Sequence, residues 1–182
     1  WYLYVGFFFF IFLIVQIFRD GKIIRALITF FKGATFALFA LHTAGLAARW
    51  FISGHAPWSD AYESMIYVAW ATVLFGILFG RKSNLTLAAT TFVASMILMI
   101  SHWNWMDPAI ANLQPVLDSY WLMIHVAVIV GSYGPFALSM IIGIIALFLM
   151  LATNTKNKVK MDLNIQELTI INELSLTVGL IM

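Results

Sequence analysis

The chain has 182 residues, 63% of them hydrophobic and 10% charged, with a formal net charge of +2 and a mean hydropathy of +0.95. Its apolar share is well above that of a soluble domain and its apolar runs are long enough to cross a bilayer, which excludes a soluble globular or disordered chain. Charge is confined to short stretches between those runs, so no nucleic-acid surface is expected, and the absence of cysteine excludes a disulfide frame, a thiolate metal site and a cysteine nucleophile within this chain.

The expected fold is an all-α polytopic membrane protein with about five transmembrane helices and the start of a sixth. Trp1 to Phe18 is an uninterrupted apolar run that ends at Arg19, Asp20, Gly21 and Lys22. Ile23 to Lys32 places Arg25 and Lys32 on one helical face, as in a short elbow lying on the membrane. A second span is expected over Gly33 to Phe51, followed by the turn-rich loop SGHAPWSDAYES. The third span covers about Tyr62 to Phe79, and GRKSN makes a tight basic turn into a fourth, Leu85 to Ile100. Ser101 to Tyr120 is a second polar, aromatic loop with Trp103, Trp105, Asp107, Pro108, Pro115 and Asp118. The fifth span runs from near Trp121 to Leu151, and a lysine-rich turn follows. Asp162 to Glu173 reads as a solvated helix leading to the start of the sixth span, Leu174 to Met182. With apolar runs at both ends, the chain is expected to be an excerpt of a longer protein.

Basic residues set the expected orientation. Arg19, Lys22, Arg25, Lys32, Arg81, Lys82, Lys156, Lys158 and Lys160 lie in or beside the turns after spans one, three and five, whereas only Arg49 adjoins a loop on the other side. The odd turns are therefore expected in the cytoplasm, and His55, Trp58, Asp60, Glu63, His102, Trp103, Trp105, Asp107 and Asp118 at the outer face.

The fifth span exceeds what a bilayer needs. Roughly thirty residues at about 1.5 Å each give about 45 Å, against a hydrocarbon core of about 30 Å. Anchored at its lysine-rich inner end, the helix leaves the apolar core near Ser132 and holds His125 about 10 Å above it. Tyr120, Trp121 and Tyr133 suit an interfacial level, and Pro135 with Gly131 and Gly134 is expected to kink the helix and aim His125 at a neighbour. Two readings of His125 stand at this point: a belt histidine bonded to a loop carbonyl, or an iron ligand with Trp121 and Ile129 one turn to either side. His42, mid-span, is either a packing histidine, a ligand or a proton relay. His55 and His102 read as loop residues, and Trp58, Trp103, Trp105 and Trp121 as an aromatic belt or a flat shelf for a planar ligand.

Two stretches carry a family resemblance. Arg49 to Trp70, RWFISGHAPWSDAYESMIYVAW, followed some sixty residues later by Leu117 to Gly134, LDSYWLMIHVAVIVGSYG, resembles the CcsA/ResC family of cytochrome c biogenesis, including its CcsBA fusion form, and more distantly CcmC. The resemblance covers roughly Ala34 to Leu151. It implies two segments: residues 1–32, a first transmembrane helix and cytoplasmic elbow at the junction with a fused CcsB-like half, and residues 33–182, a haem-handling membrane domain that stops before the family's tryptophan-rich WWD motif. It further implies a cytochrome c synthase, or its haem-delivery subunit, in the bacterial inner membrane. Haem b would be held at the periplasmic face with His125 as one axial iron ligand and Trp121 and Trp58 packed against the macrocycle. Apocytochrome c bearing CxxCH, a CcsB/ResB-like partner and the lipid bilayer are the implied partners. The second axial histidine and the WWD motif are expected downstream, and no role is transferred to His42. The alternatives are a b-type haem protein of membrane electron transfer, with paired histidines on facing helices, and a transporter without chemistry, whose midplane site would show broken helices.

Overall fold

The computed structural model describes residues 1–18, 21–80, 83–103, 106–110, 119–154 and 158–182. Six helices appear among them: α1 (Tyr2–Phe18), α2 (Lys22–Ser53), α3 (Ala61–Phe79), α4 (Asn84–His102), α5 (Tyr120–Ala152) and α6 (Lys158–Ile181), with no strand among the described residues. Helices α2, α3, α4 and α5 are each long and apolar enough to cross a membrane, and α1 is a shorter apolar helix. The expected all-helical, several-span architecture is therefore the one observed. Arg19, Arg81, Lys82, Trp105, Pro115, Asp118 and Lys156 lie outside the described residues.

Two expected boundaries differ. The elbow at Ile23 to Lys32 and the second span form one continuous helix, α2. At about 1.5 Å per residue its 32 residues reach about 48 Å, so the turns with Arg25 and Lys32 extend past an apolar core instead of folding along its surface. No glycine or proline interrupts Ile23 to Lys32, which explains the continuity. Similarly, Asp162 to Glu173 and Leu174 to Met182 belong to a single α6 that starts at Lys158 and packs along α5. Its register is antiparallel: Gly179 lies against Phe136, and the Ser139 hydroxyl donates to the Asn172 side-chain Oδ1.

Across the bundle the neighbours run α2, α1, α4, α3, α5, α6, with α4 also touching α2 and α5. Central α4 is the most enclosed, and its buried side chains include Thr86, Thr90, Thr91 and Ser95. These hydroxyls do not demand water. Thr90 donates to the Thr86 carbonyl at 2.6 Å, Thr91 to Leu87 at 2.8 Å and Ser95 to Phe92 at 2.6 Å. Small side chains also let the neighbours close in. A Cβ on Gly76 of α3 would fall inside the Thr90 side chain, and one on Gly6 of α1 would come 2.7 Å from the Thr91 carbonyl oxygen.

Pro135 lies inside α5 without ending it. The glycines beside it serve close packing: a Cβ on Gly134 would stand 2.8 Å from the Ala71 and Thr72 backbone of α3, and one on Gly131 would meet Tyr67 and Met182 at 3.4 Å. The larger apolar core gathers Phe9, Leu13, Leu85, Leu138, Ile142 and Leu168, at the opposite end from the histidine-bearing turns of α5.

Candidate functional site

The α2–α3 connection, the described part of the α4–α5 connection and the first turns of α5 meet at one end of the bundle. Helix α2 stops because Gly54 adopts a left-handed conformation (φ 72°), which lets its N–H cap the Trp50 carbonyl at 3.0 Å. Helix α3 starts at Asp60, whose side chain accepts from the Glu63 N–H at 2.7 Å. Glu63 in turn reaches back and accepts from the Ser59 N–H (3.0 Å) and hydroxyl (2.7 Å), a close variant of the reciprocal cap that an acidic or hydroxyl residue forms with a glutamate three positions on.

Arg49 organises this end. Its Nε donates to Glu63 Oε1 at 2.8 Å, with the Glu63 side chain wholly buried. Its Nη1 donates to the Pro108 carbonyl at 3.0 Å and its Nη2 to that of Ala109 at 3.3 Å, while the guanidinium lies 5.2 Å from the Tyr62 ring centroid and 3.9 Å from Asp60. Three segments thus share one cation. His55 is buried beside the cluster, with Nδ1 3.3 Å from the Ser59 hydroxyl and from the Ala56 carbonyl oxygen. Asp60 and Glu63 accordingly hold the α2–α3 connection and the start of α3 in place. Asp107 acts similarly, accepting from the Ala109 N–H at 2.9 Å.

The aromatic residues divide into two groups. Trp58 is half-buried in a run of rings: Trp50 edge-on at 5.6 Å, Tyr67 at 5.0 Å, then Tyr67 stacked on Trp70 at 5.8 Å and Trp70 on Phe39 at 5.8 Å. Its Nε1 donates to the Met123 carbonyl of α5 at 3.2 Å. Trp121 and His125 are instead exposed on α5 and form one stripe with Ile129 and Tyr133. Met123 lies about 200° around the helix from both at about 100° per residue, so Trp58 braces the back of α5 while Trp121 and His125 look away from the bundle. The structure brings Trp121 and His125 together and gives Trp58 a supporting place. Trp58→Phe is therefore expected to keep the ring stack but lose one hydrogen bond, a cost of about 0.5–1.5 kcal/mol, visible as a modest drop in thermal stability in detergent that Trp58→Ala exceeds.

His42 lies elsewhere. Its ring meets that of Tyr2 edge-on at 5.7 Å, and the Ile66 backbone faces it without reaching hydrogen-bond geometry. Helices α1, α2 and α3 thus surround His42, whereas His125 is on the open side of α5. His102 is exposed at the end of α4, and Trp103 beside it is exposed too. Among the described residues no three His, Asp or Glu side chains gather as a metal cluster. The sequence reading passed over the Arg49–Glu63 pair, yet two signals announced it: the one basic residue adjoining the two polar, aromatic loops, and an Asp60–Glu63 capping spacing.

Residues 58–182 match the profile of the family described as Cytochrome C assembly protein. The chain is 46% identical over 143 residues to Protein NrfI of Wolinella succinogenes, covering 79% of this chain and 16% of that protein. It is 32% identical over 113 residues to cytochrome c biogenesis protein CcsA of Prochlorococcus marinus, covering 60% and 37% respectively. To the CcsA protein of Guillardia theta it is 30% identical over 132 residues, covering 70% and 44%. The chain therefore spans less than half the length of these relatives.

Proposed function

This chain belongs to the cytochrome c assembly protein family, of the CcsA type, and from that premise we propose that it holds haem for the maturation of cytochrome c, with His125 as an axial ligand of the iron. One observation carries the reading: an exposed histidine, flanked one turn away by exposed Trp121 and Ile129, stands in the first turns of a 33-residue helix. This donor set fits haem. An imidazole nitrogen suits iron, and an apolar, aromatic strip suits one face of a macrocycle that buries most of its surface when bound.

Trp121 covers haem from the turn above, and Trp58 keeps α5 in place through its bond to the Met123 carbonyl. The buried Arg49 cluster holds the two loops that border this end. Haem b is the substrate and contributes the vinyl groups to which the two thiols of a CxxCH apocytochrome add, while the protein contributes orientation and an iron ligand. The chain acts as part of a cytochrome c synthase or as its haem-delivery subunit. Its site faces the periplasm from a bacterial inner membrane, with residues 33–182 forming the haem-handling part beside a CcsB/ResB-like partner. The basic residues at the other end of the helices, such as Lys22, Arg25, Lys32 and Lys158, support that orientation.

The test is the absorption spectrum of the intact protein purified from membranes. His125→Ala is expected to lower co-purified haem by at least about tenfold, because even changes in groups that merely support a metal ligand cost that much. Imidazole supplied to the variant should restore part of it. Haem retention and cytochrome c formation equal to the parent protein's would overturn the reading.

A further inference from the structure

We propose that Arg49 is a positioning residue for this site: it clamps the loop ahead of α5 to the ends of α2 and α3, and so sets the level at which Trp121 and His125 are presented. The proposal rests on the haem-holding reading above and adds to it a residue that touches neither haem nor the apocytochrome.

The geometry assigns Arg49 this role through the division of its donors. Only one of the three guanidinium nitrogens is needed to pair with buried Glu63, and that is Nε at 2.8 Å. The other two, Nη1 and Nη2, go to consecutive backbone carbonyls, Pro108 and Ala109, almost sixty residues further along the chain. Asp107 shapes the receiving turn by accepting from the Ala109 N–H. A lysine would satisfy Glu63 as a point charge, yet it lacks the planar fork that serves two carbonyls and a carboxylate at once. Arg49 is also coupled to α5 by a second route. The next residue, Trp50, packs on Trp58, and Trp58 bonds the Met123 carbonyl two residues before His125. The described part of the α4–α5 connection, at Pro108 and Ala109, and the back of the first turns of α5 are thus both referred to the same C-terminal turn of α2. On the other side of α5, nothing among the described residues covers Trp121, which is 80% exposed, so these ties act on the first turns of α5 from one side only.

The decisive variant is Arg49→Lys in the intact protein, read in two ways. This chain has no cysteine, so Ile110→Cys, at an exposed position next to the clamped carbonyls, gives a thiol whose labelling by a membrane-impermeant maleimide reports the loop, with the protein lacking that substitution as background. Labelling is expected to quicken about tenfold in Arg49→Lys, the equivalent of about 1.4 kcal/mol for charge-assisted bonds lost to the loop. The second readout is the absorption spectrum and reduction potential of the haem that remains bound, which a general loss of folded protein would leave unchanged and a displaced ligand would shift. If Arg49→Lys does not accumulate, Arg49→Met with Glu63→Met removes the clamp without leaving a buried charge unpaired. Faster labelling with a shifted haem spectrum supports the proposal. Unchanged labelling overturns it, as does faster labelling with an unaltered spectrum. Should the parent protein hold no haem, it is the haem-holding reading that falls, and the labelling rate alone then upholds or overturns the clamp.

Discussion

Replacing Glu63 by alanine is expected to destabilise the protein by about 3–5 kcal/mol, the usual cost of removing one partner from a buried ion pair. The carboxylate has no exposure to solvent, and the Arg49 side chain is only 14% exposed, so the guanidinium left behind cannot regain its hydration by a small movement. The variant also loses Oε2, the one acceptor on which the Ser59 N–H and hydroxyl converge at 3.0 and 2.7 Å, and with it the Glu63 half of the reciprocal cap at the start of α3. The signature of a charge effect is in the comparison with other variants. Glu63→Gln, which keeps the shape and one carbonyl acceptor, should fall between the parent and Glu63→Ala. Combining methionine at both Arg49 and Glu63 should recover much of the loss, because an apolar pair of similar volume leaves no buried charge unpaired. Survival of a monodisperse chromatographic peak after a temperature challenge in detergent measures all three. A Glu63→Ala protein as heat-resistant as its parent would show that the pair contributes nothing.

The second large effect is expected at Gly134, in the middle of α5. Alanine there places its Cβ 2.8 Å from the Ala71 and Thr72 backbone, and backbone cannot rotate aside as a long side chain does. Helices α3 and α5 must then separate, which costs about 1–3 kcal/mol for alanine and more for leucine. Gly143, nine residues further along the same helix, makes the control. Its Cβ would find nothing nearer than the Asn172 amide nitrogen at 3.8 Å, so Gly143→Ala should gain up to about 1 kcal/mol of helix propensity. Opposite signs for the same substitution on one helix, read as yield of folded protein and midpoint of thermal inactivation, distinguish backbone contact from a general intolerance of added methyl groups. Equal effects at both positions would refute the close approach.

Helix existence and most helix ends were legible in the amino-acid order, because the bilayer imposes a length and a polarity that a run of apolar residues either meets or does not. Tyr62 to Phe79, Leu85 to Ile100 and Trp121 to Leu151 lie within one or two residues of α3, α4 and α5. Continuity was harder to read. Basic residues on one face of Ile23 to Lys32 suggested a separate elbow, and polar residues from Asp162 to Glu173 suggested a solvated lead-in, yet both belong to unbroken helices. Helix continuity depends on backbone hydrogen bonds, and polarity along a stretch says only what surrounds its side chains. The cytochrome c assembly family was legible as well, from RW, GHAPWS and YES followed by the stretch around His125.

What those spacings accomplish was decided by the tertiary structure. Composition and order determined by themselves the placement of the apolar spans, the family, and the position of His125 in the first turns of an overlong helix. Only folding revealed that Arg49, Ser59, Asp60 and Glu63 form one cluster with the Pro108 and Ala109 carbonyls, that Trp58 braces α5 from behind, and that Gly134 lies against the backbone of α3. The reason is physical. Hydrophobic length is a property of each segment alone, whereas a buried charge, a shared carbonyl or a missing Cβ has meaning only against atoms brought from elsewhere in the chain.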